Sequence, residues 1–189
     1  FWYKSSGAGG DNIIALWKNA SFGVKTKNGL FNQGVSFWIY NSFNVTQVTT
    51  STIYNDGNWH NVTCVFIPST SINIYVDGVL DATNTTSIPA TIGNSTDNFY
   101  LGTVVEKGNP TQIFNGNLDE VAVWNTDQTA NVSTIYNSGT PQDLSSLSPV
   151  GYWRMGDGDT YPTLTDYGSG GNNGTMVNMS SSDFVADVP

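Results

Sequence analysis

The run Ile72-Asn73-Ile74-Tyr75-Val76-Asp77-Gly78-Val79-Leu80 alternates with period two and then meets Asp-Gly. Period two is the spacing of side chains that share one face of a strand, and Asp-Gly tolerates the positive φ of a two-residue hairpin turn. The run predicts two antiparallel strands, tightly joined. Short β-rich runs of the same kind recur at Ile13 to Trp17, Phe22 to Thr26, Val35 to Tyr40, Val45 to Ile53 and Trp59 to Ile67. Runs this short, bounded by turn residues, predict an all-β sandwich. In Trp59 to Ile67 apolar residues fall on both faces, which predicts a central strand. Asn98 to Gly102 and Asn117 to Trp124 read as further strands, with Gly116 turning the chain before the second.

Only 11% of the 189 residues are charged, so the polar surface has to be built from Asn, Ser, Thr and Gly. Those residues favour strands and turns over solvated helices. One stretch, Thr126 to Asn137, reads as a helix, with Thr126 or Asp127 as its cap and Val132, Ile135 and Tyr136 on its buried face. A net charge of −9 with six Lys and Arg leaves no basic stripe, which argues against nucleic acid as a partner and against anionic membranes. No stretch is apolar enough to predict membrane insertion. Cys64 is the only cysteine, which excludes an intrachain disulfide, and its strand position predicts a buried, inert thiol. The chain opens on Phe1-Trp2-Tyr3-Lys4, which reads as the middle of a strand and leads us to expect upstream residues.

Four segments together carry a family resemblance: Asn55 to Val62, Tyr75 to Val79, Tyr100 to Gly102, and Phe114 to Asn125. In this order and spacing they resemble the laminin-G and pentraxin branch of the concanavalin A-like lectin/glucanase superfamily. The resemblance covers residues 1–145 and implies a two-sheet antiparallel jelly roll with a broad face and a loop rim. Residues 146–189 then form a C-terminal tail, expected to pack on the sandwich or on a neighbouring subunit. The glycine of Asp77-Gly78 is explained by turn geometry, and Trp59 and Trp124 read as core residues.

Pentraxin-like relatives bind calcium at the rim, and the matching positions are Asp11, Asn12, Glu106 and Gln112. Mixed acid and amide oxygens suit a hard cation, although Lys107 in the same loop would repel one. Asp157-Gly158-Asp159 with Asp166 is a weaker calcium-like composition. Retaining glycosidases of this superfamily need two carboxylates on one face, about 5 Å apart. Asp119 and Glu120 are adjacent, which on one strand places them on opposite faces, and this argues against an enzyme. The lone His60 has no neighbour with the spacing of a catalytic motif, so a packed strand histidine is expected. Asn-x-Ser/Thr triplets are numerous, as a chain rich in all three residues produces, and Asn61 lies within a strand where a glycan would not fit.

The segment Pro149 to Gly158, followed by the Gly/Asn-rich Gly168 to Thr175, resembles a leader that usually precedes such modules. Its place after the module is similar to virion structural proteins of marine bacteriophages. The functional expectation is a surface recognition or adhesion module for a glycan or a cell-surface protein, extracellular or on a virion. The alternative is a structural virion component, with other virion subunits or a homo-oligomer as its partners.

Overall fold

The computed structural model describes residues 1–6, 13–27, 34–42, 44–106 and 109–189. Sixteen strands occur in them: β1 (Trp2–Lys4), β2 (Ile13–Lys18), β3 (Phe22–Lys27), β4 (Ser36–Asn41), β5 (Asn44–Thr49), β6 (Trp59–Ile67), β7 (Ser71–Val76), β8 (Val79–Asn84), β9 (Phe99–Leu101), β10 (Val104–Glu106), β11 (Asn109–Thr111), β12 (Asn117–Asp119), β13 (Val121–Val123), β14 (Gly151–Trp153), β15 (Thr163–Leu164) and β16 (Gly174–Thr175). Two five-stranded sheets hold most of them. One runs β12-β1-β6-β7-β8 and the other β5-β4-β3-β2-β9, and every pairing is antiparallel. The expected all-β, two-sheet sandwich is therefore what forms.

Alternation decides which face of each strand is buried. Val24, Phe37 and Ile39 of the second sheet meet Ile72, Ile74 and Val76 of the first in one apolar core, which also holds Tyr3, Val62 and Val121. β6 lies in the middle of its sheet, as its two apolar faces predict. The Asp77-Gly78 turn takes φ 50° and 78°, the left-handed pair that a tight hairpin requires. Cys64 packs half-buried against the core, and burial pushes its thiol up to about 12.

Three local expectations are corrected. The run from Val45 stops at Thr49, because the Thr50 hydroxyl donates to the Thr52 carbonyl (2.8 Å) and accepts the Val35 N–H (2.9 Å), turning the chain. The helix expected over Thr126 to Asn137 is only the five residues of α1 (Val132–Tyr136), flanked by single 3-10 turns. The Asp127 carboxylate takes both the N–H and the hydroxyl of Thr129, holding the chain in a turn, and left-handed Asn137 ends the helix (φ 46°). The single strand expected over Asn117 to Trp124 breaks at Glu120, which has φ 48°. β12 therefore pairs with β1, while β13 leaves that sheet and pairs with β14.

Residues beyond Leu144 follow the sandwich surface through specific contacts. Tyr152 is fully buried in a second, smaller core with Ile135 and Leu144, and Trp153 joins the main one. Asp187 accepts hydrogen bonds from Lys4 (2.9 Å), Trp59 Nε1 (3.2 Å) and Asn117 (3.4 Å), which lie side by side on β1, β6 and β12.

Candidate functional site

Within the β5-β4-β3-β2-β9 sheet, Leu16, Val24, Phe37 and Ile39 point into the core, so Trp17, Gly23, Trp38 and Tyr40 stand on the opposite, outer face. The register sets them in line. Tyr100 pairs with Trp17, Trp17 with Gly23, Gly23 with Trp38, and Trp38 with Gln47. Neighbouring strands lie about 4.8 Å apart, so the aromatic part of this row, from Tyr100 to Trp38, spans about 14 Å. One row further along, Tyr40 pairs with Val45, which is 54% exposed.

The rings brace one another. Trp17 meets Trp38 edge-to-face at 6.5 Å between centroids and Tyr40 at 5.5 Å, with interplanar angles of 86° and 81°. Gly23 makes this possible, because a Cβ there would lie 2.6 Å from a carbon of the Trp17 indole. The Lys25 ammonium sits 4.2 Å from the centroid of the Trp38 ring, a cation–π contact, and burial lowers its pKa. No carboxylate belongs to the row, in a chain with 15 acidic residues. The result is a firm, half-buried aromatic surface edged by an exposed amide, Gln47.

The titratable groups singled out from the sequence are engaged elsewhere. Glu120 is 4% exposed and accepts the Tyr152 hydroxyl, while Arg154 Nε lies 3.2 Å from its other oxygen and reaches Asp157 with Nη2 (2.8 Å). Burial raises the Glu120 pKa in spite of these partners. Asp119 accepts the Glu120 N–H (2.9 Å), and burial together with the Glu120 charge pushes it up to about 6. The opposite-face argument for this pair is corrected by the break in the strand: Glu120 is not in an extended conformation, and what restrains it is its buried ion pair. His60 does have acidic neighbours after all. Nδ1 lies 2.8 Å from Asp77 and Nε2 3.2 Å from Asp56, so both ring nitrogens are engaged and neither is free to act as a base. The Asp77 hydrogen bond raises the His60 pKa against the opposing effect of burial.

Of the four rim positions that suggest calcium, Asp11 and Asn12 lie outside the described residues. Glu106 ends β10, opposite Asn109, whereas Gln112 follows Thr111, which pairs with Val104 at the other end of this hairpin. Gln112 Oε1 is buried with no partner among the described residues. Asp159 and Asp166 are consumed by turns, accepting N–H groups from Gly156 and Thr165 and from Tyr152, Gly168 and Asn172. Among the described residues no three His, Cys, Asp or Glu side chains converge as a metal would need.

Trp124 packs in the smaller core and donates to the Leu147 carbonyl, as a core residue would. Trp59 does not behave as one: it is half-buried and bound to Asp187. Asn61 is 2% exposed, which excludes it as a glycan acceptor. The aromatic row itself was hidden in plain alternation. In Val35 to Tyr40, Phe37 and Ile39 account for the core face, and Trp38 and Tyr40 are left over for the other.

A two-sheet antiparallel sandwich with a half-buried aromatic row on the outer face of one sheet is a lectin-like β-sandwich. Residues 1–132 match the family model described as the concanavalin A-like lectin/glucanases superfamily, and the chain belongs to that family. Among solved structures, the chain is similar in fold to a crystal structure described as a candidate carbohydrate binding protein from Bacteroides ovatus ATCC 8483, with a TM-score of 0.68 at 19% identity. The match covers 92% of this chain but 49% of that one, so the chain spans about half the length of its neighbour. No curated protein matches the chain.

Proposed function

We propose that this chain is a non-catalytic carbohydrate-binding module whose ligand lies across the outer aromatic row. The observation that carries the reading is the cross-strand line Tyr100, Trp17, Gly23, Trp38 and Gln47 on the sheet face opposite the core, its aromatic rings half-buried and Gln47 exposed. A pyranose ring has one face of C–H groups and a girdle of hydroxyls. Indole and phenol rings offer the first an apolar surface, and amides at the margin answer the second. An aromatic span of about 14 Å suits a short oligosaccharide better than a single sugar.

The absence of carboxylates from the row disfavours hydrolysis on this face, and the Glu120 and His60 partners described above leave neither group available as an acid or base. The likeness to a neighbour described as a candidate carbohydrate binding protein and the lectin-type family support binding over catalysis. A module of this kind would work outside the cell, where polysaccharide is met, and the reading routes no contact through calcium.

The test is affinity gel electrophoresis and calorimetry against neutral polysaccharides and their oligosaccharides. The intact chain should bind at least one, and Trp38→Ala should weaken it about tenfold or more while remaining folded, the behaviour of a central aromatic anchor. Unchanged affinity in folded Trp38→Ala and Trp17→Ala variants would remove the row from the site.

A further inference from the structure

Beyond the aromatic row, the sheet edge ends in a cleft of about 510 Å³, within the roughly 300–1,000 Å³ typical of small-molecule sites. On one side stand Asn41, Asn44, Val45 and Thr46, at the ends of β4 and β5, and on the other Pro89 and Ala90 from the loop after β8. Val45 belongs to both places, because it pairs with Tyr40 on the outer face and also lines the cleft. Asn44, Val45 and Ala90 are exposed and accessible.

The far wall is held in place rather than loosely draped. The Thr46 hydroxyl donates to the Ser87 carbonyl (3.3 Å), Asn41 Nδ2 to the Thr91 carbonyl (2.6 Å), Gly93 N–H to the Tyr40 carbonyl (2.5 Å) and Ser69 N–H to the Pro89 carbonyl (2.9 Å). The loop is thereby tied to β4, β5 and the β6–β7 turn at four points. The described lining residues mix amide and hydroxyl groups with small apolar surfaces, and none of them is charged.

We infer that this cleft is a second sugar subsite, for an uncharged residue of the same oligosaccharide that lies on the aromatic row. The inference rests on the carbohydrate-binding reading above and adds a place and a chemistry to it. From the Trp38–Gln47 row to the Tyr40–Val45 row is two residues, about 7 Å along the strand, and the cleft adjoins the second row. A glycan stacked on Trp38 therefore reaches the cleft by extending past Tyr40 and Val45. Hydroxyls of the added residue would donate to the Asn41 amide oxygen, whose nitrogen is committed to Thr91, and meet the Asn44 amide, and its C–H face would meet Val45 and Pro89. An acidic sugar would bury its charge against a lining that offers no cation.

Chain length separates the two parts of the site. With the neutral polysaccharide that binds most tightly, the trisaccharide and hexasaccharide are compared by calorimetry on the intact chain, Ala90→Phe, Thr46→Val and Trp38→Ala. Ala90 is exposed, so a phenyl ring there fills the cleft without entering the core. Thr46→Val keeps the shape and removes only the hydroxyl that ties the wall. The intact chain should bind the hexasaccharide about tenfold tighter than the trisaccharide. Filling of the cleft by Ala90→Phe should bring that ratio close to one with trisaccharide affinity unchanged, Thr46→Val should lower the ratio in the same sense, and Trp38→Ala should weaken both ligands together. A ratio that persists in both cleft variants while Trp38→Ala weakens binding overturns the subsite and leaves the module reading standing. Folded variants that all bind like the intact chain, or an intact chain that binds nothing, refute the module reading itself. Tighter binding of a uronate-containing hexasaccharide than of its neutral counterpart, lost in Ala90→Phe, overturns the uncharged specificity.

Discussion

Gly23→Ala is the sharpest test of the aromatic row, because it leaves every aromatic residue in the sequence and displaces one. The added methyl would stand 2.6 Å and 2.9 Å from two carbons of the Trp17 ring. Ordinary carbon–carbon contact lies at about 3.5–4.0 Å, so the indole has to withdraw by about 1 Å. Trp17 can move only at the expense of its edge-to-face contacts with Trp38 and Tyr40. Each such contact contributes about 0.5–1.5 kcal/mol, which puts the loss at about 1–3 kcal/mol if both are broken. The backbone of Gly23 is not left-handed, so restricting the unfolded chain returns roughly 0.4–1 kcal/mol. The net destabilisation centres on about 1.3 kcal/mol, a fall in Tm of about 3–5 °C for a chain of this size. Affinity should fall as well, about tenfold or more, because a misplaced platform disturbs the middle of the row. Calorimetric titration and thermal unfolding on the same preparation read both quantities. Wild-type affinity in a variant whose Tm has dropped as expected would show that Trp17 supports the sheet and not the ligand.

Tyr152→Phe removes a hydroxyl that a buried Glu120 accepts, and hydrogen bonds to charged groups are worth about 1.5–3 kcal/mol, so urea unfolding should show a loss of that order; a change under 0.5 kcal/mol would mean Arg154 alone satisfies the carboxylate. Gln112→Gly should raise Tm, because it releases a left-handed residue (φ 53°) and a buried oxygen without a described partner, and a lowered Tm would reveal a contact that the oxygen makes. Stability should decline as pH rises from about 4 to 6. Asp119 is raised to about 6 in the folded chain, so it holds its proton longer than in the unfolded chain and its contribution fades as pH rises toward 6. His60, raised by Asp77, stabilises fully below its unfolded value and loses this as pH passes its folded one. Denaturation midpoints should fall between about pH 4 and 6; above about pH 6 burial of the Phe1 ammonium, lowered to about 6, acts in the opposite sense, so His60 is read by difference, the intact chain losing more or gaining less than His60→Gln. A midpoint that rises between about pH 4 and 6, or parallel profiles of the two proteins above about pH 6, contradicts the assignments.

What could be read from the sequence and what could not divide along a physical line. Strand positions, the Asp77-Gly78 hairpin and the central place of β6 follow from local alternation and turn chemistry, which need only neighbouring residues. The break at Glu120 does not. Nothing local forces φ 48° on a glutamate between Asp119 and Val121; the contacts that hold it come from Tyr152 and Arg154, more than thirty residues later. Separation in sequence also hid Asp77 from His60, since it arrives through the pairing of β6 with β7, whereas Asp56 lies only four residues before the histidine and is brought to it by the bend of the intervening turn. It also misplaced Trp59, whose fate is decided by Asp187 near the other end of the chain.

The candidate site stands between these cases. Each of its residues lies in a strand that was legible, and its outward direction follows from the core positions on either side. What alternation cannot supply is register, because shifting one strand by a single residue would send its outer side chains to the core and dissolve the row. Register here is pinned by core residues that leave little choice: Val24 opposite both Leu16 and Phe37, and Phe22 opposite Ile39. Those pairings align Trp17, Gly23 and Trp38 as a by-product. The core that stabilises the sandwich thus also builds the flat, spaced face that a sugar chain can lie on, and the smallest residue in the row, Gly23, makes room for the largest.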